Sequence, residues 1–347
     1  MEQEYKWMVC TRCWTYNHAP YINDALNGFT MQETTFPYVC VIVDDASTDG
    51  EQEVIKKYLQ EHFDLEDTSI VRNEETEDYT LTFARHKTNK NCHFAVLYLK
   101  YNHYSIKKSK APYLKEWQDK CKYIAACEGD DYWIVPNKLQ KQIDIMENDS
   151  ECHIALSNGI SHNYRTGKSR MMNPLPAKTS GFISIHEIFK EKGGLIPTAS
   201  MCFRGEIYDR RPLFVQKAPV GDRPTRMWCA IHGKVYYDTE PQLVHRQFVP
   251  GSYGTRSHAN NKLAHSVYER MIVFLDEFDR YTHGEYHSDV QYMKEREEFA
   301  YYSKIGDKKA MLNSRYFKHR PFKQRLSIYM KMYFPRLYGQ FRALSKN

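Results

Sequence analysis

No stretch of this 347-residue chain approaches the length of an apolar membrane span. Met1-Glu2-Gln3-Glu4 has neither the basic start nor the apolar run of a secretory leader, so a cytoplasmic protein is expected. The first strand-like run is not followed by Gly-x-Gly-x-x-Gly, which argues against a dinucleotide-dependent oxidoreductase. Nor is it followed by the Gly-rich, basic phosphate loop expected of a sugar-phosphate nucleotidyltransferase. The single Cys-x-x-Cys, Cys10 to Cys13, lacks the second pair or paired histidines of a zinc site, and residues three apart on a strand face opposite ways. Several of the nine cysteines (Cys10, Cys13, Cys40, Cys127, Cys202) lie inside strand-like runs and read as buried thiols of a reducing compartment. No internal repeat is visible. The last absence is local: after Asp307 there is no Asp or Glu, while eleven Lys and Arg follow. Residues 1–307 therefore carry −5 against +6 for the whole chain.

What is present is a globular composition, 41% hydrophobic and 27% charged, rich enough in apolar residues to bury a core. Trp7–Trp14 reads as a first strand, Pro20 precedes an amphipathic helix through Phe29, and Tyr38–Val43 reads as a second strand. A helix is expected over about 50–61. Strands are expected at 69–72, 94–99, 122–127, 154–157, 198–203, 234–237 and 242–245, and residues 73–92 read as a loop. Helices are expected at 115–120, after Pro136, at 226–231 and from about 260 onward. Strand, helix, strand, helix at the start announces a doubly wound α/β sheet.

Two acidic clusters close apolar runs. Tyr38–Val43 runs into Asp44-Asp45-Ala46-Ser47-Thr48-Asp49-Gly50, and Lys122–Cys127 runs into Glu128-Gly129-Asp130-Asp131-Tyr132-Trp133. Carboxylates at the carboxyl ends of parallel strands sit where open α/β sheets bind ligands, and a nucleoside diphosphate with its divalent cation meets that chemistry. With Thr15-Tyr16-Asn17 after the first strand, and Pro136-Asn137-Lys138-Leu139-Gln140-Lys141-Gln142 downstream, these blocks resemble the family 2 glycosyltransferases. The likeness spans roughly residues 7–250.

That resemblance implies a GT-A fold, a Rossmann-like, mostly parallel sheet flanked by helices, over residues 1–255. The nucleotide-sugar half would be about 1–135 and the acceptor half about 136–255, with a helical extension over 256–347. It implies an inverting transfer of a sugar from a nucleotide diphosphate, UDP first, to a hydroxyl of a glycan or lipid-linked saccharide in polysaccharide biosynthesis. Thr15, Tyr16, Asn17, Asp44 and Asp45 would hold base and ribose. Glu128, Gly129 and Asp130 occupy the family's Asp-x-Asp position, where Glu128 departs from the usual first Asp. Asp130, with Asp131 beside it, would ligate Mn²⁺ or Mg²⁺. Trp133 joins the substrate-contacting set, and His245-Arg246 would steer phosphates. Asp222, in Gly221-Asp222-Arg223-Pro224, is the expected general base, ahead of Asp209 and Asp238; a helix cap is the alternative. The rival reading is a non-catalytic nucleotide- or glycan-binding module.

The acid-free tail interleaves its cations with Tyr316, Phe317, Phe322, Tyr329, Tyr333, Phe334, Tyr338 and Phe341. Such a segment either packs its aromatics as a terminal helical hairpin or lies against the inner face of a membrane. No nucleic-acid partner is expected.

Overall fold

A computed structural model describes residues 4–175, 177–191, 195–252, 255, 260–335 and 337–338. Among the described residues, thirteen strands form one sheet. In chain order they are β1 (Trp7–Thr15), β2 (Tyr38–Asp44), β3 (Phe63–Asp64), β4 (Arg72–Glu75), β5 (Tyr79–His86), β6 (Cys92–Leu99) and β7 (Cys121–Ala126). There follow β8 (Tyr132–Trp133), β9 (Cys152–Asn163), β10 (Lys168–Met171), β11 (Gly181–Ile183), β12 (Cys202–Arg204) and β13 (Lys234–Gln247). The order across the sheet is β11-β13-β9-β12-β7-β1-β2-β6-β5-β3, with β10 on β9, β4 on β5 and β8 on β13.

The centre, β7-β1-β2-β6, is parallel throughout. Every residue of β2 is buried, as expected of a strand covered on both faces. Its side chains alternate: Tyr38, Cys40 and Ile42 pack in one apolar cluster, Val39, Val41 and Val43 in another. Cys13 falls in the first cluster and Cys10 in the second, so this pair does not share a face; all nine cysteines are buried and unpaired.

The segment 73–92, expected as a loop, is instead an antiparallel hairpin of β4 and β5 extending the sheet beyond β6. Its Leu81 and Phe83 are buried while their neighbours Thr80 and Thr82 are not, a period-two pattern hidden among polar residues. The runs at 234–237 and 242–245 are one strand, β13, paired with β9 through register shifts between Asp238 and Val244. At 198–203 a 3₁₀ turn, Thr198–Ser200, precedes the three-residue β12.

The described chain forms two compact units. One runs to Pro212 and includes Val220–Ser252; the other contains Leu213–Pro219 and the chain after Ser252. In the second unit the helices Asn261–Tyr281 and His287–Ile305 pack together around Met271, Phe274, Leu275, Phe278, Val290 and Met293. Short helices and Phe322–Tyr333 follow. No helix among the described residues is long and apolar enough to cross a membrane.

Candidate active site

Thr15 ends β1 beside Asp44, which ends β2, and the loops leaving them are laced together. The Asn17 N–H donates to Ser47 Oγ (2.8 Å), and Asn17 Oδ1 accepts from the Thr48 N–H (2.8 Å). The Ala19 N–H donates to Asp49 (3.0 Å) and the His18 N–H to Glu51 (2.8 Å). Buried Glu51 also accepts from the hydroxyls of Thr15 and Ser47. Sequence reasoning missed this residue, because its role exists only once both loops close. Asn17 (φ 56°) and Ala46 (φ 60°) are both left-handed. For alanine that conformation costs about 1 kcal/mol or more, which the surrounding bonds must hold.

Asp44 is fully buried; one oxygen accepts from the Ser47 N–H (3.1 Å) and the Gln52 amide, and the other has no partner among the described residues. Burial pushes its carboxyl up. Asp45, 1% exposed, is heavily engaged: Oδ1 accepts from the His103 N–H (2.7 Å), and Oδ2 from the Tyr104 N–H (3.2 Å) and Lys110 Nζ (2.8 Å). Three of the roughly four acceptor positions of a carboxylate are thus taken by residues 103–110. Tyr16 is half-buried.

The second cluster differs. After β7 the loop continues alongside β1, with the Cys127 N–H donating to Arg12 O (3.1 Å) and the Gly129 N–H to Trp14 O (3.1 Å). A Cβ on Gly129 would lie 2.2 Å from Thr15 Oγ1 and 3.1 Å from His18 Nδ1. Glycine at 129 is therefore required by the chain's own Thr15. Burial, then the Asp131 and Asp130 charges, raise Glu128 to about 8, and burial with Asp131 also raises Asp130. The Asp130 carboxylate faces the His18 ring, with Nε2 3.9 Å away.

Asp131 does not share this situation. Its Oδ2 accepts from His245 Nδ1 (2.8 Å) and its Oδ1 from the Arg246 N–H (2.8 Å), which corrects its assignment as a metal ligand. Burial works against a charged His245, but bonded Asp131, with Asp130 and Glu128 beyond, prevails and raises its imidazole to about 9. Arg246 is likewise committed, donating to Asp130 O (2.9 Å), pairing with Asp24 and lying over the Tyr132 ring (4.5 Å). Of the two residues expected to steer phosphates, Arg246 is a tie, whereas His245 keeps Nε2 without a partner among the described residues. Trp133 is 1% exposed, packs edge-on against Phe29 and donates to Ala199 O (2.9 Å). It is core, and its place among substrate contacts is withdrawn.

Asp222 opens the helix Asp222–His232, and Arg226 one turn on reaches its Oδ2 (3.3 Å). Arg226 is itself buried and paired with buried Glu191, a contact that sequence distance concealed. Of the weaker candidates, Asp238 is 2% exposed and held by Lys141, Ser180 and Gln242, which leaves it no freedom to act as a base.

Residues 14–80 match glycosyl transferase family 2. That segment carries the signature of family 2 glycosyltransferases. An uncharacterised protein of Mycobacterium bovis, with counterparts in two strains of Mycobacterium tuberculosis, is 32% identical over 142 residues. That match covers 40% of this chain and 31% of the relative, so less than a third of those proteins' length is represented. The GT-A fold is shared with the mannosyltransferase PcManGT of Pyrobaculum calidifontis, solved with GDP-Man and Mn²⁺. The two are 15% identical over 97% of this chain and 83% of that one, with a TM-score of 0.54. S. aureus TarS 1–349, solved with UDP-GlcNAc, is 12% identical over 86% of this chain and 81% of that one, with a TM-score of 0.48.

Proposed function

We propose that this glycosyltransferase moves one sugar, with inversion, from a nucleoside diphosphate to a hydroxyl of a glycan or lipid-linked saccharide. The observation that carries the reading is the pair Glu128 and Asp130, two carboxylates held together after a central parallel strand and pushed toward protonation. A protein gains nothing in stability from such an arrangement, so it belongs to a site awaiting positive charge.

Among the described residues no three His, Cys, Asp or Glu form a ready metal cage. Two acids with no Lys or Arg ion pair among the described residues fit a cation such as Mg²⁺ or Mn²⁺, which takes one or two carboxylates and completes its shell with phosphate oxygens. Asp130 would hold it, with Glu128 second. Bound there, a divalent cation would neutralise charge developing on the departing diphosphate.

The chain's own groups do the rest. Thr15, Tyr16 and Asn17 would border the base and ribose, and the one unfilled acceptor position of buried Asp45 would take a base N–H. His245, charged at neutral pH and held by Asp131, offers Nε2–H to a phosphate oxygen. Asp222 takes the proton from the acceptor hydroxyl, and Arg226 fixes which oxygen is free to do so. UDP is the first nucleotide to try.

Asp222→Asn tests the assignment. Donor affinity measured by calorimetry should stay within about twofold of the parent, while turnover falls by 10²-fold or more, on the order expected for losing a general base. Turnover at the parental rate would place the base elsewhere. No metal-dependent binding of any nucleoside diphosphate would leave a non-catalytic module as the reading.

A further inference from the structure

The helix Phe322–Tyr333 has no buried residue. Its exposed large apolar side chains fall on one line, with Phe322 70% exposed, Leu326 48%, Tyr329 and Tyr333 42% each, while Ile328, Met330 and Met332 are half-buried off that line. Leu337, 48% exposed, continues the same spacing of four and three. At about 100° per residue the four helical positions, Phe322, Leu326, Tyr329 and Tyr333, lie within roughly 60° of arc. Lys323 and Arg325 flank that stripe on either side, and the helix contains no acidic residue. Phe317, Phe322, Arg325, Leu326 and Tyr329 also border a shallow groove of about 250 Å³.

Charge decides what covers this face. The nearest preceding acid in sequence is Asp307, and no ion pair among the described residues involves Lys318, Lys323, Arg325 or Lys331. A second copy docking stripe to stripe would bring these cations against each other. A spanning role is excluded for the described helices by their length and polarity. An apolar, aromatic stripe edged by unpaired Lys and Arg matches a surface with a hydrocarbon interior and negative headgroups.

We propose that Phe322–Tyr333 lies in the plane of an anionic lipid bilayer, its Phe322–Leu326–Tyr329–Tyr333 stripe entering the headgroup boundary and its Lys and Arg contacting lipid phosphates. The placement is independent of the transfer reaction and stands or falls separately from it.

Co-sedimentation of the full chain with phosphatidylcholine vesicles, with and without phosphatidylglycerol, tests it. Partition onto the anionic vesicles should exceed that onto neutral ones by roughly tenfold or more and should fall as salt is raised. The pair Leu326→Glu and Tyr329→Glu should abolish it. The pair Lys323→Glu and Arg325→Glu should remove the preference for anionic lipid. All four positions are solvent-facing or half-buried, so unchanged circular dichroism and unchanged donor binding would show that the variants are folded. Equal partition onto both vesicles, or unchanged partition of both variants, overturns the proposal. So would a dimer dissociated by Leu326→Glu without vesicle binding, or retention by RNA or DNA alone.

Discussion

The two acidic clusters end neighbouring parts of the same parallel sheet, yet they are built for opposite ends. Asp44, Asp45 and Glu51 in the first are consumed by the chain: backbone N–H groups, hydroxyls and Lys110 occupy most of their oxygens. Glu128 and Asp130 in the second stand with like charges beside them and no Lys or Arg ion pair among the described residues. Spending carboxylates on internal bonds makes architecture; withholding them makes a receptor. The same residue types at the same kind of strand end therefore predict different consequences on substitution.

The contrast is attacked hardest at Asp130. Asp130→Ala should eliminate metal-dependent donor binding and lower turnover by about 10³-fold or more, of the order of removing a principal stabiliser of transition-state charge. Denaturant stability should be equal or slightly higher, because a like charge has gone. A marked loss of stability would make the second cluster architectural too. Asp45→Ala should do the reverse, destabilising the fold by about 3 kcal/mol as Lys110 and two backbone N–H groups lose their acceptor. Limited proteolysis should then cut within 100–110; an unaltered melting temperature and digest would overturn this.

The mildest effect is at Glu128. Its carboxyl is raised from an ordinary value of 4.5 to about 8 in the fold. The parent therefore holds this group's contribution fully below pH 4.5 and loses it as pH rises through about 8. Glu128→Gln lacks that titration, so the two proteins should match in stability near pH 5 while the variant is more stable at pH 9. The difference should be about 2 kcal/mol after allowing for solvent that reaches the carboxylate. Parallel stability curves in denaturant titrations from pH 5 to 9 would show Glu128 to be an ordinary surface acid.

Much of the fold was readable because buried parallel strands write themselves as short apolar runs: β1, β2, β6 and β7 all lie where those runs are. The β4–β5 hairpin escaped because Leu81 and Phe83 alone mark one face and Ala84 the other, and polar neighbours dilute the alternation. The candidate site was legible as a location but not as a division of labour. Asp130 and Asp131 are adjacent letters, yet what separates them is His245 and Arg246, more than a hundred residues on. Trp133 read as a substrate contact; the missing Cβ at Gly28, which would otherwise meet the Trp133 backbone at 2.9 Å, lets it sit against the first helix in the core.

The bonds made by residue 246 have a temporal meaning. Its guanidinium fastens Asp24, on the first helix, to the carbonyl of Asp130, while its amide anchors Asp131. A nascent chain emerging from the ribosome would thus carry every recognisable motif of the nucleotide half well before that clasp is synthesised. The loop bearing Glu128 and Asp130 cannot acquire its final setting until β13 has been made and threaded alongside β9. Fragments that stop short of it would display the family signature with the second acidic loop unanchored.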